Sequence, residues 1–265
     1  MMEYSDFLAV YTAYAESFRQ PDGTLSEPMQ QKLDHTLEVV EFADRIASAQ
    51  KADPREFLLC KLAALFHDTA RFRQLQLYHT FDDGASKFDH GHEGVRILLE
   101  KNMLAGLPPS EACAVITAVE LHNKPRVDFS QLGGIFSAPA KNVRDADKLS
   151  ILKLLTAYIT GELQFEDSSV FLLKCTDSEE FTPEILDAVL NGKAALYQYL
   201  HTVNDFKLSL FAWCGDYNYP ETARIILEYG FYDRIRKTMP DQPVVDLIYQ
   251  KAMDQLKCLS SKSKI

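Results

Sequence analysis

The sequence predicts an all-α protein, and three features of its 265 residues support this. Apolar residues recur at helical spacing through most of the chain. Helix starts are marked by Ser, Thr or Asp just ahead of a proline, and helix ends by glycine. No run of alternating apolar and polar residues is bounded by hairpin turns, so we expect strands to be few or absent.

These signals give the helix boundaries in chain order. The clearest start is Asp53, which is followed by Pro54 and by Glu56 at the capping-box position. Further starts are predicted at Ser26 ahead of Pro28, Ser137 ahead of Pro139, Thr182 ahead of Pro183, and Pro220 before Glu221, with stops at Gly161, Gly192 and Gly230. Residues 72–89 and 124–137 break the helical pattern and are predicted to be long loops, which are often functional.

The chain shows no linker that would divide it into independent domains. We expect residues 1–192 to form a helical core with an N-terminal helix, and residues 193–265 to form a C-terminal helical extension packed on that core. The composition, 46% hydrophobic and 25% charged, is that of an ordinary globular protein and excludes a disordered or fibrous chain. A chain of this length can bury a core without disulfides or a structural metal.

Charge and cysteine usage narrow the function classes. The chain has 38 acidic against 28 basic residues, a formal net charge of −10, which argues against binding to a nucleic acid duplex. Its five cysteines are scattered without a CxxC motif, which excludes zinc ribbons and thioredoxin-type chemistry. The N-terminus lacks a basic signal region, and no apolar run approaches the ~20 residues of a membrane span. We therefore expect a cytoplasmic protein that binds no membrane.

Several histidines and aspartates lie on helix faces that are otherwise apolar. His35, His122 and Asp147 each share such a face, and the dipeptide His67-Asp68 ends a helix predicted to be buried. One buried histidine is usually a core residue with a satisfied hydrogen bond, but four or five buried polar groups in one bundle need a shared partner. A mixed His and Asp set suits Zn, Fe, Mn, Co or Ni better than Ca or Mg alone.

The order of these residues resembles a known family. His35, His67-Asp68 and Asp147, on separate predicted helices, look like the H…HD…D signature of the HD-domain metal-dependent phosphohydrolases. The sequence segments around them, residues 64–71 and 144–149, are similar to the family's helix-end and final motifs. The resemblance covers roughly residues 30–160 and implies an HD-domain helical bundle with additional C-terminal helices.

The resemblance also implies one or two divalent metal ions, with Mn, Fe, Co, Ni, Zn and Mg as candidates. The first ion would be held by His35, His67, Asp68 and Asp147. The second would be held by His122 and by one of His90 and His92, with Asp68 bridging the two ions. The family pattern has a histidine four residues before a glycine, so Gly94 favours His90 over His92.

The implied activity is hydrolysis of a phosphomonoester or phosphodiester of a small metabolite or nucleotide by a metal-bound hydroxide. Asp68 would be catalytic as the bridging ligand. Arg71 is a second catalytic candidate and could bind the substrate phosphate with its guanidinium fork, although a solvated arginine at a helix end explains it equally well. Lys148 is a further substrate-binding candidate. Two other functions stay open: an HD-type di-iron oxygenase and a non-catalytic nucleotide-binding regulator.

Overall fold

A computed structural model describes residues 2–164, 175–193 and 195–262 of the chain. Within these ranges the regular structure is helical, apart from an isolated β-bridge between Thr176 and Thr202. The prediction of an all-α fold is therefore confirmed. The chain divides into two compact units, Met1–Ser150 and Ile151–Ile265. The division expected near residue 193, between a helical core and a C-terminal extension, stays a prediction.

The first helices follow the predicted starts. They are α1 (Tyr4–Glu16), α2 (Glu27–Ala49), α3 (Pro54–Phe66), α4 (Thr69–Tyr78), α5 (Asp83–Ser86), α6 (His90–Glu100), α7 (Pro109–Leu121) and α8 (Ser137–Ile159). Ser26 occupies the N-cap of α2. The Asp53 side chain accepts hydrogen bonds from the backbone N–H groups of Arg55 and Glu56 and so caps α3.

The first predicted loop is shorter than expected, because helices occupy much of residues 72–89. Phe72 and Leu75 are buried at helical spacing and hold α4 together as far as Tyr78. Asp82 then caps the short helix α5 through the backbone N–H groups that follow it. The second predicted loop is irregular over residues 124–136, with two single 3-10 turns, Phe129–Gln131 and Gly134–Phe136, and α8 begins at Ser137.

The packing of the first unit brings several helix ends together. Helix α3 packs on α2 and α7, and α6 packs on α4 and α7. Small buried residues, Ala63 of α3, Ala118 of α7, and Ala140 and Val143 of α8, form one core cluster. Because these side chains are short, the helix axes can approach closely. The C-terminal ends of α3 and α7 therefore lie side by side.

The second unit contains the remaining described helices. They are α9 (Pro183–Leu190), α10 (Val203–Ala212), α11 (Pro220–Tyr229), α12 (Phe231–Arg236) and α13 (Pro243–Ser260). Helix α10 packs on α9, and α13 packs on α10, α11 and α12. Gly192 and Gly230 adopt φ values of +65° and +60°, as expected for glycines that end helices. None of the described helices is long and apolar enough to cross a membrane.

A buried carboxylate, Asp205, ties the start of α10 to the start of α9. It accepts hydrogen bonds from the backbone N–H of Thr182 (2.7 Å), the Thr182 hydroxyl (2.6 Å) and the backbone N–H groups of His201 (3.1 Å) and Thr202 (3.0 Å). We expect Asp205→Ala to lower the free energy of unfolding by about 2–4 kcal/mol, because these donors lose a charged acceptor. Urea denaturation measures the change. The exposed Asp187→Ala is the control, and a loss below about 0.5 kcal/mol in Asp205→Ala would contradict the prediction.

Candidate metal centre

Six side chains on or directly beside six different helices converge inside the unit Met1–Ser150. His35 lies on α2, His67 directly follows α3, Asp68 directly precedes α4, His90 opens α6, His122 directly follows α7, and Asp147 lies on α8. Five of them are between 0% and 8% exposed, and the Asp147 side chain is 17% exposed. The structure thus brings together the six side chains that the sequence proposed as metal ligands. Their role as ligands stays a prediction.

One half of this cluster surrounds a carboxylate oxygen of Asp147. The Nε2 atom of His35 lies 3.1 Å from Asp147 Oδ1, and the Nε2 atom of His67 lies 3.6 Å from the same oxygen. Asp68 Oδ2 closes this half, at 3.7 Å from His35 Nε2 and 3.6 Å from His67 Nε2. Two imidazoles and two carboxylates therefore face one small volume.

The other half surrounds the second oxygen of Asp68. The Nε2 atoms of His90 and His122 lie 3.6 Å and 3.7 Å from Asp68 Oδ1 and 3.0 Å from each other. Asp68 thus directs one oxygen toward each pair of imidazoles. Asp68 could therefore offer one oxygen to an ion in each half of the cluster.

The outer nitrogens of two imidazoles are bound by backbone carbonyls. His67 Nδ1 lies 2.8 Å from the carbonyl oxygen of Ala64, and His122 Nδ1 lies 2.7 Å from that of Val119. A carbonyl oxygen can only accept a hydrogen bond, so Nδ1 carries the proton in both rings. The Nε2 atoms that face Asp68 are then the nitrogens able to bind a metal.

The other two imidazoles are oriented by side chains. Ser150 donates its hydroxyl hydrogen to Glu38 at 2.6 Å, so its oxygen accepts from His35 Nδ1 at 2.9 Å. His90 Nδ1 donates to the carboxylate of Asp83 at 2.5 Å. All four imidazoles are therefore held from outside with Nε2 directed into the cluster, as is usual for metal-binding histidines.

Burial keeps two of the histidines neutral. Burial, reinforced by the nearby Lys32 ammonium, lowers the pKa of His35. Burial, reinforced by the Arg71 guanidinium, lowers the pKa of His90 to about 3. A neutral imidazole is the form that binds a metal ion, so these shifts favour a ligand role at neutral pH.

The two aspartates remain ionised despite their burial. Burial alone would raise the pKa of Asp68, but Lys32 and His67 outweigh it and hold the pKa well below its usual range. His35 and His67 do the same for the pKa of Asp147. Burial would lower the pKa of His67, yet the carboxylates of Asp68 and Asp147 raise it. The negative charge of these two carboxylates favours positive charge at the centre of the cluster.

The cluster fits one or two divalent ions. The buried Nε2 atoms of His35 and His67 have no hydrogen-bond partner of good geometry within residues 2–164, 175–193 and 195–262. Orphaned buried nitrogens are costly, and a metal ion is a partner that would satisfy them. In two groups the ligand atoms lie close enough together to hold an ion. One group is His35, His67 and Asp147, and the other is His67, Asp68 and His122. Imidazole and carboxylate together suit divalent transition metals.

The structure separates His90 from His92. The His92 side chain is 59% exposed and lies 3.3 Å from Glu120, on the outer face of α6. Residues two apart on a helix point about 200° from each other, so only one of them can face the cluster. Gly94 lies one turn beyond His90, where an added Cβ would come within 3.2 Å of Val119 on α7. The glycine that favoured His90 in the sequence therefore marks close packing of these two helices.

Gly91 permits an even closer contact at the start of α6. An added Cβ would lie 2.6 Å from Asn123 Oδ1 and 3.1 Å from the carbonyl oxygen of Glu120, so something must shift. We expect Gly91→Ala to displace the Asn123 side chain and to shift the start of α6 from the Glu120 carbonyl by a few tenths of an ångström. With His90 as a ligand, this shift should weaken Mn²⁺ binding about 10-fold, as measured by Mn²⁺ titration. Gly133→Ala, which meets open space, is the control. Unchanged affinity in Gly91→Ala would contradict this prediction.

Two charged residues beside the cluster were missed by the sequence reasoning. Lys32 Nζ lies 2.8 Å from Asp68 Oδ2, and Asp83 binds the outer nitrogen of His90. Lys32 precedes His35 by three residues on α2, and this spacing could have identified it as a neighbour of the cluster. Asp83 falls in a segment expected to be a loop, and no local signal marked it.

The two proposed substrate-binding residues lie in different surroundings. Arg71 Nε is 3.4 Å from Asp68 Oδ1, and its Nη1 donates to Gln74 (2.7 Å), the carbonyl oxygen of Phe81 (2.6 Å) and Asp83 (2.9 Å). Arg71 is thus placed at the cluster but held by the protein through one amino group. Lys148 follows Asp147 on α8 and is partly exposed. Substrate binding by both residues stays a prediction.

Comparison with known protein families identifies the domain that carries this cluster. The family model described as HD domain matches residues 33–152, the stretch that holds all six side chains. This stretch is similar to the HD domain family. The resemblance seen in the sequence is confirmed, and an HD domain with grouped His and Asp side chains indicates a metal-dependent, hydrolase-type function. The comparisons with curated proteins and with solved structures each found no match.

Proposed function

We propose that this HD domain is a metal-dependent phosphohydrolase that acts on a phosphoester of a small metabolite or nucleotide. The observation that carries the proposal is the position of Asp68, with one oxygen toward each pair of imidazoles. In this proposal His35, His67, Asp68 and Asp147 hold one divalent ion, and His90, His122 and Asp68 hold the other. A cytoplasmic location belongs to the proposal and is supported by five free cysteines.

The protein's own part in this chemistry is orientation and charge. When bound, two divalent ions supply a water that ionises near neutral pH and offset the charge on the phosphoryl oxygens. The chain fixes the four imidazoles through their outer nitrogens, which keeps the ligands in place before a metal or substrate arrives. Mn, Fe, Co, Ni, Zn and Mg are the candidate metals, because ligand type alone does not select among them.

Two cations beside Asp68 support a phosphorylated substrate. Lys32 and Arg71 approach opposite oxygens of the Asp68 carboxylate, at 2.8 Å and 3.4 Å. Positive charge beside a metal site attracts and orients a phosphate. The Phe81 ring lies 5.2 Å from Lys32 Nζ and 5.8 Å from Arg71 Cζ, so an apolar surface adjoins both cations. This supports an organic phosphate. We include Lys148 as a further phosphate-binding candidate.

The same ligands favour one other enzyme class. Four imidazoles and two carboxylates also suit a pair of iron ions, so an HD-type di-iron oxygenase is the second candidate. The two candidates differ in what they consume, since a hydrolase consumes water and an oxygenase consumes dioxygen. A regulator that binds nucleotides without turnover is the third.

A substrate screen separates these candidates. Protein loaded with Mn²⁺, Co²⁺, Ni²⁺, Mg²⁺ or Fe²⁺ is incubated with phosphomonoesters, phosphodiesters and nucleotides while product formation and dioxygen uptake are followed. The proposal expects hydrolysis of at least one phosphoester, lost in His67→Ala. Substrate-dependent dioxygen uptake without hydrolysis would establish the oxygenase instead. Nucleotide binding without any turnover would favour the regulator.

A further inference from the structure

Asp83 links His90, a residue of the cluster, to Arg71 beside the cluster. Its Oδ2 accepts a hydrogen bond from His90 Nδ1 at 2.5 Å. Its Oδ1 accepts from Arg71 Nη1 at 2.9 Å and from Gln74 Nε2 at 3.0 Å. His90 and Arg71 both also approach Asp68 Oδ1, at 3.6 Å and 3.4 Å. The contacts form a closed circuit from Asp68 through His90, Asp83 and Arg71 back to Asp68.

We propose that Asp83 is a positioning residue for the half of the centre formed by His90 and His122. This inference rests on the proposed function, because it assigns Asp83 a role toward the second ion. A carboxylate that accepts from Nδ1 fixes the proton there, leaves Nε2 as the binding nitrogen and makes the imidazole a stronger ligand. Asp83 does not itself face the ions in this assignment.

The surroundings of Asp83 hold its carboxylate in one orientation. Gln74 is fully buried and binds both Asp83 and the Ser86 hydroxyl, at 3.0 Å and 3.1 Å. Arg71 adds a positive charge to the same carboxylate oxygen as Gln74, so the other oxygen is left for His90. An orientation fixed by two donors is what a residue needs in order to hold an imidazole in place.

His90 differs from the other three histidines in its outer partner. His67 and His122 use backbone carbonyls, and His35 uses the hydroxyl of Ser150. Among the described residues, His90 is the histidine of the cluster whose Nδ1 is held directly by a carboxylate. The second half of the centre therefore depends on a side chain that can be changed without altering the backbone.

The same contacts change the role expected of Arg71. Its Nη1 group already has three acceptors in the protein, including Asp83. A group so occupied has little capacity left for a substrate phosphate. Arg71 therefore supports Asp83 through Nη1, and any contact with phosphate is left to its other nitrogens.

The test compares two isoelectronic substitutions one residue apart, Asp83→Asn and Asp82→Asn. Asp82 caps α5 through the backbone N–H groups of Gly84 and Ala85, and asparagine keeps this cap. Mn²⁺ titration of each full-length variant, followed by electron paramagnetic resonance without any substrate, counts the ions and detects their magnetic coupling. We expect Asp83→Asn to bind the second ion about 10- to 100-fold more weakly. Asp82→Asn should stay within about 3-fold of the wild type.

Two further variants keep the outcomes distinct. Asp83→Glu retains a carboxylate and is expected to recover part of the affinity, which a merely structural role for Asp83 would not require. His90→Ala gives the signature of a lost second ion. If Asp83→Asn binds two coupled ions like the wild type while His90→Ala binds one, the positioning role is overturned and the proposed function stands. If the wild type and His90→Ala both bind fewer than two ions, the positioning role and the proposed two-ion centre are both overturned.

Discussion

Asp68→Ala is expected to reduce phosphoester hydrolysis at least about 1000-fold and to remove bound metal. The reason is the position of Asp68, whose two oxygens lie within 3.7 Å of all four Nε2 atoms of the cluster. Its loss leaves neither ion with a full ligand set, and a metal supplies several kcal/mol of transition-state stabilisation. The values of kcat/KM and the metal content of the purified variant measure the effect.

The control for this substitution lies on α2. Asp34→Ala removes an exposed carboxylate that contacts Gln30 and lies outside the cluster, so activity and metal content should stay near those of the wild type. If Asp68→Ala kept both ions and more than a tenth of the activity, Asp68 could not be the bridging ligand. The proposed arrangement of the centre would then be wrong.

His90→Ala is expected to cost one ion per chain, whereas His92→Ala should keep both. The buried Nε2 atom of His90 lies 3.0 Å from that of His122, but the His92 side chain is 59% exposed and contacts Glu120. The two variants remove the same chemical group two residues apart on α6, so each is the other's control. Inductively coupled plasma mass spectrometry gives the ion count. Loss of an ion from His92→Ala and retention in His90→Ala would reverse the assignment.

Local signals predicted much of the fold because helix starts are encoded within a few residues. Asp53 and Thr182 each precede a proline, and helices begin at those places in the structure. Residues 72–89 were predicted to be a loop, although helices occupy much of them, because polar and aromatic residues there obscure the apolar face of α4. The buried Phe72 and Leu75 carry that face, and tertiary packing decides its conformation.

The residues of the candidate centre could be predicted where the sequence around them has a recognisable pattern. His67 and Asp68 are adjacent and would point in different directions on one continuous helix. The chain leaves helical geometry at Asp68, with φ −99° and ψ 19°, and both side chains then reach the same cluster. Asp83 could not be predicted, since its contact with His90 depends on how α5 packs and no pattern in the sequence encodes that packing.

In the proposed arrangement, these six side chains hold two divalent ions. Anomalous diffraction from crystals of the wild-type chain soaked in Mn²⁺, recorded at the manganese edge, tests it directly. We expect two peaks about 3.5–4 Å apart, one beside His35, His67 and Asp147 and one beside His90 and His122, with Asp68 between them. Peaks elsewhere on the chain, or none among these side chains, would contradict it.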